Sequence, residues 1–374
     1  MKPTVSLSEC GDYTNDNVTA SVEKSINLLG GIDKFVTKGE RILVKPNLLR
    51  NSRPDEAIIT HPSVVRAVVK ALIDAGCEVI IGDSPGGPLN KTYLKMVYKS
   101  AGYDKIAVET GARLNYDTSE ILVSNPDGML IKAFDLMGVY GEVDGVVSIP
   151  KLKTHMLTGI TCANKNLFGL IPGLKKPGYH SKLHNVGEFS EMLVDLARLV
   201  KPRLTVIDAV EGMEGQGPNQ GEVRKIGLII TGEDVFALDL IVSHIMGMNP
   251  ARVSTLKAAM SRGLVSDKIY DVRVMGGNIG DYVMPDFKHA VKGGWSIMSF
   301  LVPFSRYMIQ TPKSNEKCVG CGICAQNCPV NAIEVSDGHA RMDLSKCIRC
   351  YCCHELCPHN AVDLNKSLIG RLLS

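Results

Sequence analysis

Short apolar runs alternate with longer apolar stripes of helical spacing along residues 1–285 of the chain. Each run is rich in Val, Ile and Leu and is followed by polar residues, which is typical of a strand buried on both faces of a parallel sheet. The runs occupy residues 41–44, 79–82, 145–149, 204–207 and 227–230. Because strands that alternate with helices form layered α/β domains, the pattern predicts a large, doubly wound, mostly parallel-sheet domain.

Two of the apolar stripes have the spacing of amphipathic helices. The first covers residues 64–73 and follows a THPS sequence at residues 60–63, in which the proline suits the first helical turn. Gly76 comes shortly after this stripe and is a typical helix stop. The second stripe covers residues 186–200. Both stripes lie between predicted strands, as a doubly wound domain requires.

Two cysteine runs near the C-terminus share the spacing C-x2-C-x2-C-x3-C-P. This spacing holds [4Fe–4S] clusters in bacterial ferredoxins, where the fourth cysteine of each run binds the other cluster. We therefore predict that the chain binds two [4Fe–4S] clusters. The predicted ligands are Cys318, Cys321, Cys324 and Cys357 for the first cluster and Cys347, Cys350, Cys353 and Cys328 for the second.

The two runs belong to an internal repeat, because EKCVGCGICAQNCPVNAIEV aligns with SKCIRCYCCHELCPHNAVDL without a gap. Each half reads as a cysteine loop, a short helix and a strand. Residues 313–365 thus resemble the bacterial two-[4Fe–4S] ferredoxin domain, which implies a small α+β fold and single-electron transfer. Cys352 is flanked by two predicted ligands and is interpreted as a bystander thiol, with a swapped-ligand role as the alternative.

Polar residues directly follow each predicted strand of the large domain. They are Lys45 and Asn47, then Asp83, then residues 151–155, then Asp208, and finally residues 231–234. Ligands of open α/β sheets bind in the crevice at the carboxyl ends of the strands. We therefore expect all five strands to point functional side chains at one rim.

Residues 151–176 hold the densest set of candidate binding residues, which includes Lys151, Lys153, His155, Lys165, Asn166, Lys175 and Lys176. Ammonium groups beside backbone N–H groups exposed at glycines suit a carboxylate, a phosphate or a pyrophosphate. We predict a site for a small anionic substrate; the alternative is a basic surface loop that contacts the acidic cluster domain. The predicted substrate-binding residues are Lys45, Asn47, Asp83, Lys151, Lys153, Lys165, Asn166 and Asp208.

His155 and Lys153 are the candidate catalytic residues, because either side chain can supply a proton as electrons arrive. Asp83 and Asp208 have two open interpretations: contact with a ribose, a cation or a substrate hydroxyl, or capping of the next helix. A metal triad of His155, His180 and His184 is only weakly indicated, since the three histidines lack a tight spacing.

Several longer motifs in residues 1–285 resemble those of the DUF362 family. They are VKPNL, THPSVVRAVV, GDSPGG, SIPKLKTHMLTGIT with ANKNLFGLIPG, VDLARLVKPRLTVIDAVEGMEGQGP, and ALDLIVSHIMGMNP. The resemblance covers nearly all of these residues, and an appended ferredoxin domain is common in that family. It implies the two-domain layout and a functional rim, and it implies no particular substrate.

Charge and composition narrow the possible partners. The formal net charge is +3, and two clusters with about −2 each would bring the holoprotein to about −1, so the charge gives no argument for nucleic acid. Apolar residues make up 45% of the chain and aromatic residues 5%, which is ordinary for a globular core.

The glycine-rich residues 211–218 lack the spacing of a dinucleotide fingerprint, and no P-loop is present. Flavin stays possible without a motif.

The cysteine content and the apolar segments bear on where the protein acts. Twelve cysteines without a secretory signal predict a reducing cytoplasm, and oxygen-labile clusters predict an anaerobic host. No uncharged apolar run reaches about 18 residues, so no membrane span is expected. The nearest candidate, residues 295–309, contains Arg306 and reads as a packed segment, with peripheral membrane contact as the alternative.

The predicted layout is a large domain at residues 1–285, a packed linker at 286–312, the cluster domain at 313–365 and a tail at 366–374. Because the linker is apolar rather than rich in Gly and Ser, we expect the cluster domain to dock on the large domain.

Three functions are compatible with these features. The leading hypothesis is a reductase that receives electrons from a soluble donor such as ferredoxin or flavodoxin and passes them to a small anionic substrate or cofactor at the rim. The alternatives are a maturation or electron-delivery factor for a partner protein, and a binding protein with structural clusters. The sequence does not indicate an oligomeric state.

Overall fold

The computed structural model describes residues 2–173, 175–183, 185–290 and 310–365. The apolar stretch at 295–309, the tail at 366–374 and His184 therefore lie outside the described residues.

A mixed, mostly parallel sheet forms the large domain. Its strands within the described residues are β1 (Thr4–Glu9), β2 (Arg41–Pro46), β3 (Glu78–Ile81), β4 (Arg113–Leu114), β7 (Gly145–Ile149), β8 (Lys151–His155), β9 (Gly159–Thr161), β10 (Leu204–Glu214), β11 (Glu222–Gly232) and β12 (Arg273–Met275), while β5 (Glu120–Ser124) and β6 (Ala133–Met137) form a separate hairpin. The main strand order is β12-β1-β11-β10-β7-β2-β3-β4, and β8 pairs with β10 and β9. All five predicted strands are present.

Helices cover both faces of this sheet. In the described part of the large domain they are α1 (Asn15–Asn27), α2 (Pro62–Asp74), α3 (Lys91–Ala101), α4 (Tyr103–Thr110), α5 (Ala163–Asn166), α6 (Lys175–Lys182), α7 (Val186–Val200), α8 (Val235–Ile245) and α9 (Ser254–Ser261). One group of buried apolar residues joins α1 to α4 to the sheet, and a second group joins α5 and α7 to α9. The doubly wound α/β prediction is therefore confirmed.

The two predicted helices form with the expected ends. Helix α2 begins at Pro62, and its N-cap residue His61 accepts a hydrogen bond from the backbone N–H of Ser63. Gly76, just beyond its end, has a φ of +84°, a conformation that favours glycine. Helix α7 covers Val186–Val200 as predicted and is capped by the side chain of Asn185. Burial of their apolar stripes against the sheet stabilises both helices.

The expectation that all five strands end at one rim is wrong for the fifth strand, β11. Strands β2, β3, β7 and β10 run parallel, but β11 pairs antiparallel with β10. Only residues 215–221 separate β10 from β11, which is too short for the crossover that a parallel pair needs. The end of β11 therefore lies at the opposite edge, where Glu233 pairs with Lys34 at 2.6 Å.

Two segments that read as loops are strands in the structure. Strand β10 continues through a bulge after Ala209 as far as Glu214, so much of the predicted glycine-rich loop lies in the sheet. Residues Lys151–His155 form β8, in which every residue is buried. The basic residues of this segment therefore lie inside the protein, which does not fit the alternative of a basic surface loop.

The cluster domain consists of two short antiparallel strand pairs and two short helices within the described residues. The strands are β13 (Thr311–Ser314), β14 (Ile333–Ser336), β15 (His339–Met342) and β16 (Val362–Asn365), and the helices are α10 (Ile323–Gln326) and α11 (Cys352–Leu356). Strand β13 pairs with β16, and β14 pairs with β15. Each half of the repeat thus supplies a cysteine loop, a helix and a strand, as predicted.

The first residues of the predicted linker pack on the large domain. Phe287 is buried, and Nε2 of His289 lies 2.7 Å from the carbonyl oxygen of Met246. The carboxylate of Asp286 accepts from Arg224 at 2.9 Å. No helix among the described residues is long and apolar enough to cross a membrane.

Candidate functional site

The parallel strands β2 and β3 bring Lys45 and Asp83 together at their carboxyl ends. Lys45 Nζ lies 2.8 Å from Asp83 Oδ1, and both side chains are buried. Asp83 Oδ2 also accepts a hydrogen bond of 2.7 Å from the backbone N–H of Leu48. Gly169 packs against this pair so closely that a Cβ atom there would collide with Asp83 Oδ1. The two charges therefore neutralise each other.

Lys153 is a buried lysine that forms no ion pair with any described residue. It lies on β8, fully buried, and its Nζ atom donates to Asn47 Oδ1 at 2.8 Å and to the carbonyl oxygen of Ile58 at 2.7 Å. Burial lowers the pKa of Lys153 well below its ordinary value, and the charges of Lys165 and Lys151 lower it further. An anion beside Lys153 would stabilise its charged form.

A cavity of about 90 Å³ lies between this rim and the cluster domain. Residues from both domains line it. Those of the large domain include Lys45, Asn47, Asp83, Ser84, Lys153, Thr161, Lys165, Asn166, Phe168, Lys176 and His180, and those of the cluster domain are Asn327, Cys352, Glu355 and Leu356. We call this cavity the rim pocket. Six predicted substrate-binding residues thus meet in one place, although their role in binding stays a prediction.

Lys151 and Asp208, the two other predicted substrate-binding residues, pair with each other away from the rim pocket. They are opposite one another in the β8–β10 pairing, and Lys151 Nζ lies 3.0 Å from Asp208 Oδ2. The Tyr13 hydroxyl donates to Asp208 Oδ1 at 2.8 Å, and the backbone N–H of His61 donates to Asp208 Oδ2 at 2.8 Å. These bonds tie the start of α2 to the sheet, so the pair has a structural role whatever it binds.

Glu355 of α11 carries a carboxylate from the cluster domain into the large domain, where it faces His155. Glu355 Oε1 lies 3.2 Å from His155 Nε2. The backbone N–H groups of Leu157 and Thr158 lie 3.0 and 3.3 Å from His155 Nδ1 and donate to it. That assigns the ring proton to Nε2, on the side of the carboxylate. Burial lowers the pKa of His155 to about 4, so the ring is neutral at neutral pH.

His155, a candidate catalytic residue, is not among the side chains that line the rim pocket, whereas Glu355 and Lys153 are. Burial by itself raises the pKa of Glu355, but the neighbouring His155 ring and the charge of Lys165 bring it down to about 2. An ionised carboxylate therefore lies at the pocket beside the His155 ring. Its role as proton donor stays a prediction.

The basic side chains after β9 lie partly in the rim pocket and partly at the surface. Lys176 is half-buried, and its Nζ atom donates to Ser84 Oγ at 2.9 Å and to the carbonyl oxygens of Ser84 and Pro85. Burial lowers the pKa of Lys176 to about 7. Lys175 points elsewhere, to a surface ion pair with Asp135 at 3.0 Å and with Glu120. The predicted basic stretch is thus partly a pocket wall and partly a solvated face.

His180 packs as an aromatic wall residue. Its ring stacks on Phe189 with the centroids 4.2 Å apart and meets Phe168 edge-on. Burial lowers the pKa of His180 to about 4. Within the described ranges, no group of three His, Cys, Asp or Glu side chains could hold a single metal ion.

The eight predicted cluster cysteines line two separate cavities. Cys318, Cys321, Cys324 and Cys357 surround one of them. Cys328, Cys347, Cys350 and Cys353 surround the other, together with Cys352. Each set takes three cysteines from one run and one from the other, which is the crossed arrangement that the spacing predicts.

Backbone N–H groups point at several of these sulfurs. The N–H groups of Ala332 and Ala361 lie 3.1 and 3.2 Å from the sulfurs of Cys328 and Cys357. Such hydrogen bonds stabilise thiolates and are one determinant of cluster potential. The thiols therefore fit a group larger than one ion in each cavity, and a cluster bound there would supply single-electron chemistry.

The cluster domain docks through the turn that follows β10. Nδ2 of Asn219 donates to the carbonyl oxygen of Cys357 at 3.2 Å and to that of His354 at 3.4 Å. Asn219 Oδ1 accepts from Arg50 Nε at 2.7 Å. Leu356 packs so closely on Gly86 that a Cβ atom at that glycine would collide with it. These contacts hold α11 against the rim.

Replacing Asn219 by alanine is expected to loosen this docking, because Arg50 and two carbonyl groups would lose a buried partner. The loss of about 1–3 kcal/mol should appear as faster hydrogen exchange of the amides of residues 352–357. The control is Asn315→Ala, since Asn315 bonds to Asn360 and Asp363 within the cluster domain. Equal exchange of α11 in both variants would contradict the docking role.

Glu355, Thr161 and Ser84 are pocket residues that the sequence analysis did not assign. For Glu355 a signal exists in the internal repeat, because Gln326 occupies the matching position in the first half. A carboxylate that appears in only one half of a repeat indicates a local role. Thr161 and Ser84 give no such signal in the sequence.

The fold and this site define a class: an α/β protein whose rim pocket is closed by a docked iron–sulfur domain. The family model described as "Domain of unknown function (DUF362)" matches residues 42–244, and the model described as "4Fe-4S binding domain" matches residues 312–334. The second match contains the first cysteine run. The chain belongs to the DUF362 family and is an iron–sulfur protein.

A curated relative is similar over much of the chain. It is the thylakoid-associated protein sll1697 of Synechocystis sp., 35% identical over 272 residues, which covers 71% of this chain and 81% of that protein. Among solved structures, the lactate racemase apoprotein from Thermoanaerobacterium thermosaccharolyticum matches with a TM-score of 0.35 and 13% identity. That match covers 55% of this chain and 50% of the racemase, and so weak a likeness carries no argument.

Proposed function

We propose that this protein is a reductase in which two [4Fe–4S] clusters deliver electrons to a small anionic substrate in the rim pocket. The predicted cysteine sets would hold the clusters, and the clusters would supply single electrons. A soluble one-electron donor such as ferredoxin or flavodoxin is the proposed source. The large domain binds the substrate, and the cluster domain closes the pocket over it.

The observation that carries this proposal is the position of α11 between two cavities. Cys352 lines both the rim pocket and the second cysteine cavity. On the same short helix, Cys353 faces the second cavity and Glu355 faces the rim pocket. Electron transfer weakens steeply with distance, so an electron carrier and its acceptor must lie close together. One helix shared by both cavities meets that requirement.

The side chains of the rim pocket support binding of an anion in a dry site. Lys153 offers a buried positive charge without an ion-pair partner among the described residues, and Asn47 orients it through a 2.8 Å hydrogen bond. Lys176, whose pKa burial lowers to about 7, is suited to give up a proton near neutral pH. Reduction of a bound anion consumes protons as well as electrons, and this lysine can supply one.

The test is anaerobic purification of the full chain, followed by mass spectrometry of small molecules released on denaturation. We expect an anionic metabolite to co-purify, and we expect added metabolite to change the electron paramagnetic resonance spectrum of one reduced cluster. Absorbance of the same released fraction shows whether flavin is present. Lys153→Met should lose the metabolite, whereas the surface variant Lys175→Met should keep it.

Turnover separates this proposal from its rivals. A reductase should convert the metabolite with dithionite and without any second protein. Conversion only after addition of another protein would replace the proposal by an electron-delivery role. If the clusters stayed redox-silent between about −700 and +450 mV, the range of such centres, the protein would instead be a binding protein with structural clusters.

A further inference from the structure

We propose that the ligand of the rim pocket is a small dicarboxylate that places one carboxylate at Lys153 and the other at Lys176. This inference rests on the proposed function, because it names the substrate class of the same site. It is nevertheless tested by binding alone, so that it can fail while the electron-transfer proposal stands.

The first support is the charge of the pocket lining. Its described charged side chains are Lys45, Lys153, Lys165, Lys176, Asp83 and Glu355. Lys45 is neutralised by Asp83 at 2.8 Å. The remaining lysines outnumber the remaining carboxylate by two, and none of the three forms an ion pair with a described residue. A ligand with two negative charges would stabilise the charged forms of two of these lysines, whereas a monoanion would stabilise only one.

The second support is the separation of the cations. Lys153 Nζ is anchored at Asn47 and at the carbonyl oxygen of Ile58, whereas Lys176 Nζ is anchored at Ser84. Positive charge is thus spread along the pocket. Two carboxylates joined by a short carbon chain match this spread better than a compact phosphate does.

The third support is an unpaired hydroxyl in the wall. Thr161 Oγ1 lines the rim pocket, is buried and has no hydrogen-bond partner in the described part of the chain. A buried hydroxyl without a partner costs free energy, and a carboxylate oxygen is a suitable acceptor for it. Phe168 supplies apolar surface in the same pocket, as the carbon chain of a dicarboxylate requires.

The experiment is calorimetric titration of the anaerobically purified, oxidised holoprotein with succinate, butyrate and inorganic phosphate. Succinate and butyrate have the same carbon chain length and differ by one carboxylate. We expect succinate to bind about ten- to a hundredfold more tightly than butyrate, as a further charge-assisted hydrogen bond predicts. Succinate should also bind more tightly than phosphate. These comparisons use the unaltered protein, so they decide the question even where a variant does not fold.

Matched lysine variants locate the two carboxylates. Lys153→Met and Lys176→Met should each raise the succinate Kd about ten- to a hundredfold. Only one of the two variants should change the butyrate Kd, because butyrate has a single carboxylate. Lys175→Met removes the neighbouring lysine, which pairs with Glu120 and Asp135 at the surface, and should leave the succinate Kd unchanged. Circular dichroism confirms that each variant is folded.

The pH dependence of binding gives a further readout. Lys176 is faced by Asp83, Lys45 and Lys165 from the neighbouring elements and shares its helix with His180. Because burial lowers the pKa of Lys176 to about 7, the free lysine loses its proton above that pH, and binding of an anion must return it. The proton that Lys176 must regain should therefore raise the succinate Kd by a factor of about ten per pH unit above pH 7, and Lys176→Met should remove that factor from the slope.

Equal affinity for succinate and butyrate would overturn the inference, and so would tighter binding of phosphate or no binding of any of the three. None of these results involves a reductant. If the protein reduced another anion but did not prefer succinate, the proposed function would stand and the dicarboxylate inference would fail. If a redox-silent protein bound succinate tightly, the dicarboxylate inference would stand and the proposed function would fail.

Discussion

Cys353→Ala is expected to leave about four iron atoms per chain, where the unaltered protein purified without oxygen should hold about eight. Cys353 lines the second cavity with Cys328, Cys347 and Cys350. A cubane cluster needs four ligands, and among the described residues Cys352 supplies the one additional thiol that lines this cavity. Iron and sulfide assays measure the loss, and electron paramagnetic resonance of the reduced protein should show one cluster signal instead of two interacting ones.

The adjacent residue gives the matched control for this prediction. Cys352 lines the same cavity but falls outside the ligand spacing, so Cys352→Ala should retain about eight iron atoms. If Cys352→Ala lost iron and Cys353→Ala did not, the two roles would be exchanged. If both variants kept all of their iron, the second cysteine run would not bind a cluster at all.

Asp195→Asn is expected to destabilise the large domain by about 3–5 kcal/mol, the usual cost of removing one partner of a buried ion pair. Asp195 lies on α7, fully buried, with Oδ1 2.8 Å from Arg262 Nη2. Its carboxylate also accepts the backbone N–H groups of Met129, Leu130 and Ile131 at 2.7–2.9 Å. Replacement leaves Arg262 with only the more exposed Glu191 as its ion-pair partner and frees the turn between β5 and β6.

Urea unfolding followed by far-UV circular dichroism measures this loss, and hydrogen exchange at residues 129–131 locates it. The control is Glu191→Gln, which removes the other, more exposed partner of Arg262, 3.3 Å away. That change should cost no more than about 1 kcal/mol. Similar costs for the two variants would contradict a special role for the buried carboxylate.

The Asp195 site also predicts a dependence of stability on pH. Burial by itself raises the pKa of this carboxyl, but the three backbone N–H groups and Arg262 outweigh burial and hold the pKa below its ordinary value. A lowered pKa in the folded state means that the stabilisation is complete above the unfolded pKa of about 4. It is lost as the pH falls through the folded value. Asp195→Asn should remove this part of the acid sensitivity.

Local patterns in the sequence were sufficient for most elements of the fold. The stripe at residues 186–200 predicts α7 with the bounds that the structure has, because helical spacing depends only on neighbouring turns. The cysteine spacing likewise predicts which four cysteines share each cavity, since a tight loop confines three of them. The clustering of Lys45 and Asp83 follows from parallel strands that end at one edge.

The direction of β11 could not be predicted in the same way. Its apolar run resembles those of the parallel strands, and side-chain burial is the same for either direction. Only the length of the connection decides the direction. The apolar run that predicts β10 ends at residue 207, whereas the strand continues to Glu214. A strand that continues through a bulge loses its regular alternation, so its true end is hidden.

Residues that are close in the chain predict the cluster ligands, the helices, and a rim supplied with lysines and carboxylates. Which of these charges meet depends on the tertiary fold. Lys151 pairs with Asp208 and Lys45 pairs with Asp83, whereas Lys153 has no ion-pair partner among the described residues. Glu355 enters the rim pocket from another domain. The reason is physical: a buried charge depends on its partners, and those partners come from segments far apart in the chain.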